Sequence, residues 1–186
     1  INITHGMYIK NMHLLDGKKT APISHYILCT SVLFQQVLAK TFGLDKSKVL
    51  ITGLPRNKVL LQNSTSEDVN SFKHEYSNIH VWLPTYRKSN TGDVRVDVKT
   101  ETVFGTDELN LDKLNDILKQ NNDVLLVKPH PMAQCSLPVE QHSNIKFITN
   151  AWLESRSITL YELLSASSSL WTDYSSVFVD YMVTSK

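Results

Sequence analysis

Short apolar runs alternate along this chain with stretches whose apolar residues return roughly every three or four positions. The first pattern predicts buried strands and the second predicts helices packed by one face. His25-Tyr-Ile-Leu-Cys-Thr30 reads as a strand that hands over at Ser31 to a helix. In that helix Phe34, Val37, Leu38 and Phe42 share a face, and Gly43 supplies the stop. Lys48-Val-Leu-Ile-Thr52 is a second strand, and Asn63-Ser-Thr-Ser-Glu-Asp68 is either a linker or a helix start. Ile79-His-Val-Trp-Leu83 follows as a strand, and the alternation of Val94, Val96 and Val98 with Arg95 and Asp97 predicts a half-exposed strand in an inserted hairpin. Leu111, Leu114, Ile117 and Leu118 form the stripe of a strong helix ending at Asn121-Asn122. Val124-Leu-Leu-Val127 and Ile145-Lys-Phe-Ile-Thr149 are further strands. Thr159-Leu-Tyr-Glu162 has capping-box spacing ahead of a short helix that carries Leu160, Leu163 and Leu164. Ser169-Leu-Trp-Thr172 is the last strand, and Val177 to Val183 the last, apolar helix. Regular alternation of this kind predicts an α/β fold, a Rossmann-like doubly wound parallel sheet with helices on both faces.

In such a sheet the loops at the carboxyl ends of the strands converge on one crevice, so the polar residues just after each apolar run are the candidates for chemistry. Trp171-Thr-Asp-Tyr-Ser-Ser-Val177 breaks from a strand into small hydroxyl residues before a helix. The unpaired N–H groups and partial positive charge of a first helical turn suit an anion there, and Ser175 and Ser176 add hydroxyl donors. The plainer reading makes them N-caps. Lys128-Pro-His-Pro131 opens another exit loop with a base and an imidazole, which the flanking prolines hold in place. His130 and Ser175 are expected to meet at the same end of the sheet. Arg56 in Gly53-Leu-Pro-Arg56 stands at a third strand exit, and Pro84-Thr-Tyr-Arg87 at a fourth. His5 lies beside Gly6 where the side chain of a strand end would lie. His74 and His80 are expected to face solvent.

Composition narrows the classes. The 186 residues carry a formal charge of +1, so no general attraction to nucleic acid is written into them. Cys29 and Cys135 sit in unrelated contexts without a CxxC partner, which predicts an intracellular protein without disulfides. No apolar run approaches the ~20 residues of a membrane-spanning helix, so a soluble or at most peripheral protein is expected. The seven histidines are scattered and no carboxylates flank His130 at ligand spacing, so no metal site is expected. The chain starts without Met and stops within an apolar stretch, and it reads as a fragment of a larger protein.

The ordered series Thr4-His5-Gly6, Gly53-Leu-Pro-Arg56, Leu83-Pro-Thr-Tyr-Arg87, Lys128-Pro-His-Pro131 and Thr172-Asp-Tyr-Ser-Ser-Val177 with Asp180 resembles the CDP-glycerol glycerophosphotransferases. These are the teichoic acid primases and polymerases of bacterial wall synthesis. The resemblance spans nearly the whole chain. It implies the nucleotide-binding half of a GT-B-type transferase, two Rossmann-like domains with the active site between them. Residues 1–22 would close the acceptor-side domain and its linker, and 23–186 would form the nucleotide (CDP-polyol) binding domain, incomplete at its C-terminal end. The catalytic histidines would be His5 and His130. Donor contacts would come from His5, Gly6, Met7, Tyr8 and Ile9, from Arg56, from Pro84 and Thr85, from Lys128, Pro129 and His130, and from Ser175, Ser176 and Asp180. One departure stands out. The family often has His-Gly-Thr-Pro-Leu-Lys, and this chain reads His-Gly-Met-Tyr-Ile-Lys, keeping Lys10 but losing the Thr and Pro.

The implied reaction moves glycerol phosphate, or a related polyol phosphate, from CDP-glycerol to an acceptor hydroxyl as CMP leaves. His5 would be the general base and His130 a hydrogen-bond donor to the phosphates. Arg56, Ser175 and Ser176 would carry phosphate charge. Asp180 would hold a donor hydroxyl, or would simply be a favourable carboxylate early in a helix. No cofactor or metal is implied. The acceptor would be lipid-linked or polymeric glycerophosphate, and the full-length protein would lie on the cytoplasmic face of the membrane as a peripheral enzyme. The isolated stretch is expected to be inactive. A GT-B glycosyltransferase or epimerase using a UDP-sugar needs similar motifs, and a non-catalytic nucleotide-binding fragment is a further alternative.

Overall fold

The computed structural model of the chain describes residues 1, 3, 6–7, 24–85, 103–104, 109–131, 133, 142–173 and 175–186. The chain divides into two units, Ile1–Lys58 with Ser176–Val183, and Val59–Ser175 with Thr184–Lys186. The predicted strand of Val94, Val96 and Val98 lies outside the described residues, as do His5, Tyr8, Ile9, Lys10 and the expected boundary between residues 22 and 23.

In the first unit, β1 (Ile27–Cys29) and β2 (Val49–Ile51) pair in parallel with Ile27 opposite Val49, and α1 (Val32–Phe42) connects them. Both strands are shorter than the stretches 25–30 and 48–52 predicted for them. The Thr52 and Gly53 N–H groups turn back onto the Cys29 carbonyl at 3.2 and 3.0 Å, and Gly53 takes a φ of 73° that a side chain would resist. The Ser31 hydroxyl caps α1 by accepting the Phe34 N–H at 3.3 Å. At the other end Gly43 has a φ of 62°, and the Leu44 N–H reaches the Ala39 carbonyl at 2.9 Å. The predicted face of α1 is the packed one. Leu38 is buried with Met7, Ile27, Cys29, Val49 and Leu54, and Phe34 and Phe42 lie against them. Burying one such side chain fully contributes ~1.5–3 kcal/mol, and Met7 is held by its packing into this core.

After the short α2 (Asn57–Leu60), the second unit holds α3 (Glu67–Glu75), β3 (Asn78–Leu83), α4 (Leu111–Asn121), β4 (Asp123–Val127), β5 (Ile145–Phe147), α5 (Asn150–Ser155), α6 (Leu160–Ala166) and β6 (Ser169–Thr172). Residues 63–68 are a helix start, with the Ser66 hydroxyl accepting the Val69 N–H at 3.4 Å. The four strands are parallel in the order β5-β4-β3-β6. Val124 to Val127 are fully buried, as a continuous apolar run predicts for a strand covered on both faces. On one face Leu125, Val127 and Ile145 pack with Leu118 of α4 and with Trp82, Phe104, Phe147 and Trp171, the Trp82 and Phe104 rings 4.8 Å apart. Ile117, expected on the buried stripe of α4, is 47% exposed. On the opposite flank of the stripe Asn115 is buried instead, and its Oδ1 accepts the Asn144 N–H at 2.9 Å. The predicted capping box on α6 forms, with Glu162 accepting the Thr159 N–H at 2.7 Å.

His74 is exposed as expected, but His80 does not face solvent. Its Nε2 lies 3.3 Å from Asp123 Oδ2, its Nδ1 lies 2.8 Å from Ser169 Oγ, and its ring stacks on Trp171 at 5.5 Å. Trp171 Nε1–H donates to the same Ser169 oxygen at 3.0 Å. Since Asp123 only accepts when ionised, the consistent assignment gives Nε2 the proton and has the Ser169 hydroxyl donate to Nδ1. Parallel neighbours from β4 and β6 supply these partners, and spacing within β3 alone does not reveal them.

The last helix, α7 (Val177–Tyr181), belongs to the first unit and is five residues long, followed by a 3-10 turn at Met182–Thr184. The longer apolar helix expected through Val183 does not form. Only Val179, Asp180 and Tyr181 are buried in α7, while Phe178, Met182 and Val183 stay exposed.

Candidate functional site

In the second unit the strand order decides where chemistry can gather. The chain steps from β3 to β4 to β5 in one direction, and β6 then returns to the other side of β3. The carboxyl ends flanking such a reversal are where ligands bind in open parallel sheets. Pro84 and Thr85 leave β3 there, Lys128 to Pro131 leave β4, and Asp173 and Ser175 leave β6. His130 and Ser175 thus follow strands that end on the same edge, and those strands, separated by β3, run about 10 Å apart.

Hydrogen bonds set the shape of this edge. Asp173 clasps Thr85, with Oδ1 accepting the backbone N–H at 3.1 Å and Oδ2 accepting the hydroxyl at 2.6 Å. The Thr172 hydroxyl donates to the Leu83 carbonyl at 2.8 Å, so the two exit loops are tied twice. The Lys128 N–H continues the ladder onto Trp82 at 2.9 Å. The Lys128 side chain is buried, and loss of hydration lowers the pKa of its ammonium from the usual lysine value. Beyond it the Ala133 N–H returns to the His130 carbonyl at 2.8 Å. A pocket of about 350 Å³ opens between the exits of β4 and β5, lined by Pro129, His130, Pro131 and Ala133 from one and by Ile148, Thr149, Asn150 and Ala151 from the other. Thr149 caps α5 through the Trp152 N–H at 3.1 Å, which fixes that wall.

The first unit assembles the other expected residues. Arg56 Nε donates to Asp180 Oδ2 at 2.9 Å, and its terminal nitrogen Nη2 stands 2.9 Å from the same oxygen. Asp180 is 1% exposed and the Arg56 side chain 28%. Ser176 sits at the N-cap position of α7 in α-helical backbone geometry, and its side chain makes no capping hydrogen bond. The plain cap reading therefore does not describe it. Its Oγ lies instead against Gly6, where a side-chain carbon would overlap it. Met7 is 1% exposed and anchors the short segment that carries Gly6. Gly6, Arg56, Ser176 and Asp180 thus form one cluster, although the sequence spreads them over most of its length. The expected His5, Tyr8 and Ile9 lie outside the described residues.

The sequence profile of the CDP-glycerol:poly(glycerophosphate) glycerophosphotransferases matches residues 1–186. The chain belongs to that family. It is 24% identical over 162 residues to the teichoic acid glycerol-phosphate primase of Bacillus subtilis (strain 168), covering 87% of this chain and 38% of the primase. Among solved structures it resembles the wall teichoic acid polymerase TagF with a TM-score of 0.59 and 23% identity, over 87% of this chain and 38% of that one. A histidine variant of TagF soaked with CDPG gives a TM-score of 0.61 at 22% identity and the same coverage. These likenesses establish a shared fold, and the chain spans well under half the length of the relatives it matches.

Sequence reasoning missed the partners rather than the positions. Asp173 stands within the Thr172-to-Val177 motif, but nothing in its spacing points to the clasp on Thr85. The pairing of Arg56 with Asp180 joins residues 124 positions apart. The available signal was an arginine at one strand exit and a carboxylate in a short apolar helix, and spacing alone cannot join the two. Among the described residues no cluster of His, Cys, Asp and Glu could hold a metal ion.

Proposed function

We propose that this chain supplies the donor-binding part of a GT-B-type, Rossmann-like transferase that moves glycerol phosphate from CDP-glycerol to a hydroxyl acceptor during teichoic-acid-type polymer synthesis. The observation that carries the reading is the reversal of strand order at β3, which gathers Thr85, Lys128 to His130, and Ser175 on one edge of the second unit. Family membership over residues 1–186 supports the donor class. The pocket beside His130 suits a flat base. Pro129, Pro131, Ala133, Ile148 and Ala151 offer apolar surface for its faces, and Thr149 and Asn150 offer polar groups for its edge. Arg56 and Ser176 have the donors that phosphate oxygens need.

In the proposed step an acceptor hydroxyl gives its proton to His5 as its oxygen bonds to the glycerol phosphorus. The bond from that phosphorus to the bridging oxygen breaks, and CMP departs with the electron pair. His130 donates a hydrogen bond to the phosphates. The step as written uses no cofactor. The acceptor would be a lipid-linked or polymeric glycerophosphate, met by the full-length protein at the cytoplasmic face of the membrane. Among the described residues no helix is long and apolar enough to cross that membrane.

The test is calorimetric titration of the full-length protein with CDP-glycerol, CDP-ribitol and UDP-glucose, repeated for His130→Ala. CDP-glycerol should bind best, and His130→Ala should weaken binding and lower turnover by ~10²–10⁴-fold, the range for loss of a catalytic histidine. Preference for UDP-glucose would move the protein to the sugar-transferring class and refute the donor assignment.

A further inference from the structure

We infer that Asp180 is a positioning residue, which never touches the donor but holds the Arg56 guanidinium in the orientation that receives phosphate. The inference rests on the donor reading above and changes the role of one residue within it. A direct contact between Asp180 and a polyol hydroxyl would need an accessible carboxylate, and this one is 1% exposed. Its Oδ2 already lies 2.9 Å from both Nε and Nη2 of Arg56. Arg56, by contrast, keeps 28% of its side chain exposed. The pair therefore has a sealed carboxylate and a partly exposed arginine, although the Arg56 Nη2 atom itself is buried.

An arginine side chain has several freely turning bonds, and presenting a flat fork to a ligand means freezing them. A carboxylate bound along the Nε–Nη2 edge fixes the plane of the guanidinium before any ligand arrives, so the ordering cost falls outside the binding step. The carboxylate also offsets part of the positive charge, so what it contributes to phosphate recognition is geometry rather than charge. The surroundings hold the carboxylate firmly. Val179 and Tyr181 on either side of it are buried, and Val179 packs into the core that contains Met7 and Leu54, which anchor Gly6 and the Arg56 loop. Arg56 Nη2 lies 3.8 Å from where a Cβ on Gly6 would stand, so the guanidinium borders the gap between Gly6 and Ser176.

The experiment is a binding cycle on the full-length protein. CDP-glycerol, CMP and cytidine are titrated into wild type, Asp180→Asn, Arg56→Gln and the double variant, with Asp180→Glu as the conservative rescue and circular dichroism as the check on folding. A positioning role predicts that Asp180→Asn weakens CDP-glycerol by roughly 10- to 100-fold, the scale of one charged hydrogen bond. Cytidine should be unaffected, Asp180→Glu should recover part of the loss, and Asp180→Asn should add nothing in the Arg56→Gln background. In turnover the loss should appear in KM for the donor rather than in kcat. An equal loss for cytidine, or an undiminished further loss once Arg56 is replaced, would overturn the inference in favour of a structural role or a direct contact. If Asp180→Asn fails to fold, Arg56→Lys decides, because it keeps the buried charge balanced but removes the fork. Selective weakening of the phosphate-bearing ligands then supports the inference, and unchanged binding overturns it. A wild type that prefers UDP-glucose refutes the donor assignment alone, and the same cycle then runs with that ligand. A wild type that binds none of these phosphates overturns both.

Discussion

Replacing Gly6 by Ala tests whether the cluster in the first unit is as tight as its geometry states. A methyl carbon at Gly6 would fall on Ser176 Oγ and stand 3.0 Å from Ser176 Cβ. The hydroxyl can swing away about χ1, but the Cβ moves only with the backbone of α7. That helix carries Asp180, whose oxygen accepts Arg56 Nε at 2.9 Å, so a shift of about 1 Å in the wrong direction would stretch this bond beyond hydrogen-bonding range. Overpacking of this kind costs ~1–3 kcal/mol. For a protein of this size that corresponds to a fall of roughly 2–12 °C in Tm. The assay is a urea and thermal melt followed by far-ultraviolet circular dichroism, because Trp82, Trp152 and Trp171 all lie in the second unit and would report on it rather than on the site of change. Ser176→Ala in the Gly6→Ala background removes the overlapping oxygen and should restore about half of the lost stability. Donor affinity should not return, since the hydroxyl is gone. A Gly6→Ala protein that melts like wild type, or a double variant that melts no higher than the single one, would refute the close approach.

The remaining expectations concern the second unit. Burial, followed by the hydrogen bond and charge of Glu75, pushes the Tyr76 phenol up to about 12. The unfolded chain therefore loses this proton first, near its ordinary value of about 10, and folding stability should decline between pH 10 and about 12. Tyr76→Phe should flatten that decline in alkaline urea melts, and an unchanged slope would count against the assignment. Ser169→Ala leaves both Trp171 Nε1 and His80 Nδ1 without the oxygen they share, which predicts a loss of ~1–3 kcal/mol by urea denaturation. A change within about 0.5 kcal/mol, as for a surface serine, would show that the network carries no weight.

The parallel architecture was legible because each strand and helix bears its own local signal. Val124 to Val127 announce a doubly covered strand by being apolar without interruption, and Ser31, Ser66, Thr159 and Gly43 mark helix ends by chemistry that needs no tertiary partner. The misses share one cause. Asn115 on α4 is buried because it meets Asn144 ahead of β5, and His80 turned inward because β4 and β6 brought Asp123 and Ser169 beside it. Each depends on a partner supplied by another strand or loop, and the period of one element says nothing about what its neighbour carries.

The same cause bears on the expected phosphate loop, where the structure weakens the physical reason given by the sequence. An anion site at Ser175 and Ser176 would draw on the positive end of the helix that follows. A macrodipole is the sum of aligned peptide units, and α7 has only five residues before it tightens into a 3-10 turn, so that field is small. The short helix does something else. It delivers a carboxylate four residues beyond Ser176 into a buried position against Arg56, and it brings Ser176 so close to the chain at Gly6 that no side chain fits between them. On the proposed reading, attraction for phosphate in this unit would come from an arginine whose direction is set by α7, with the serine hydroxyl beside it. Helix length is therefore no measure of the part this segment plays, because its contribution is the placement of two side chains rather than the dipole of its backbone.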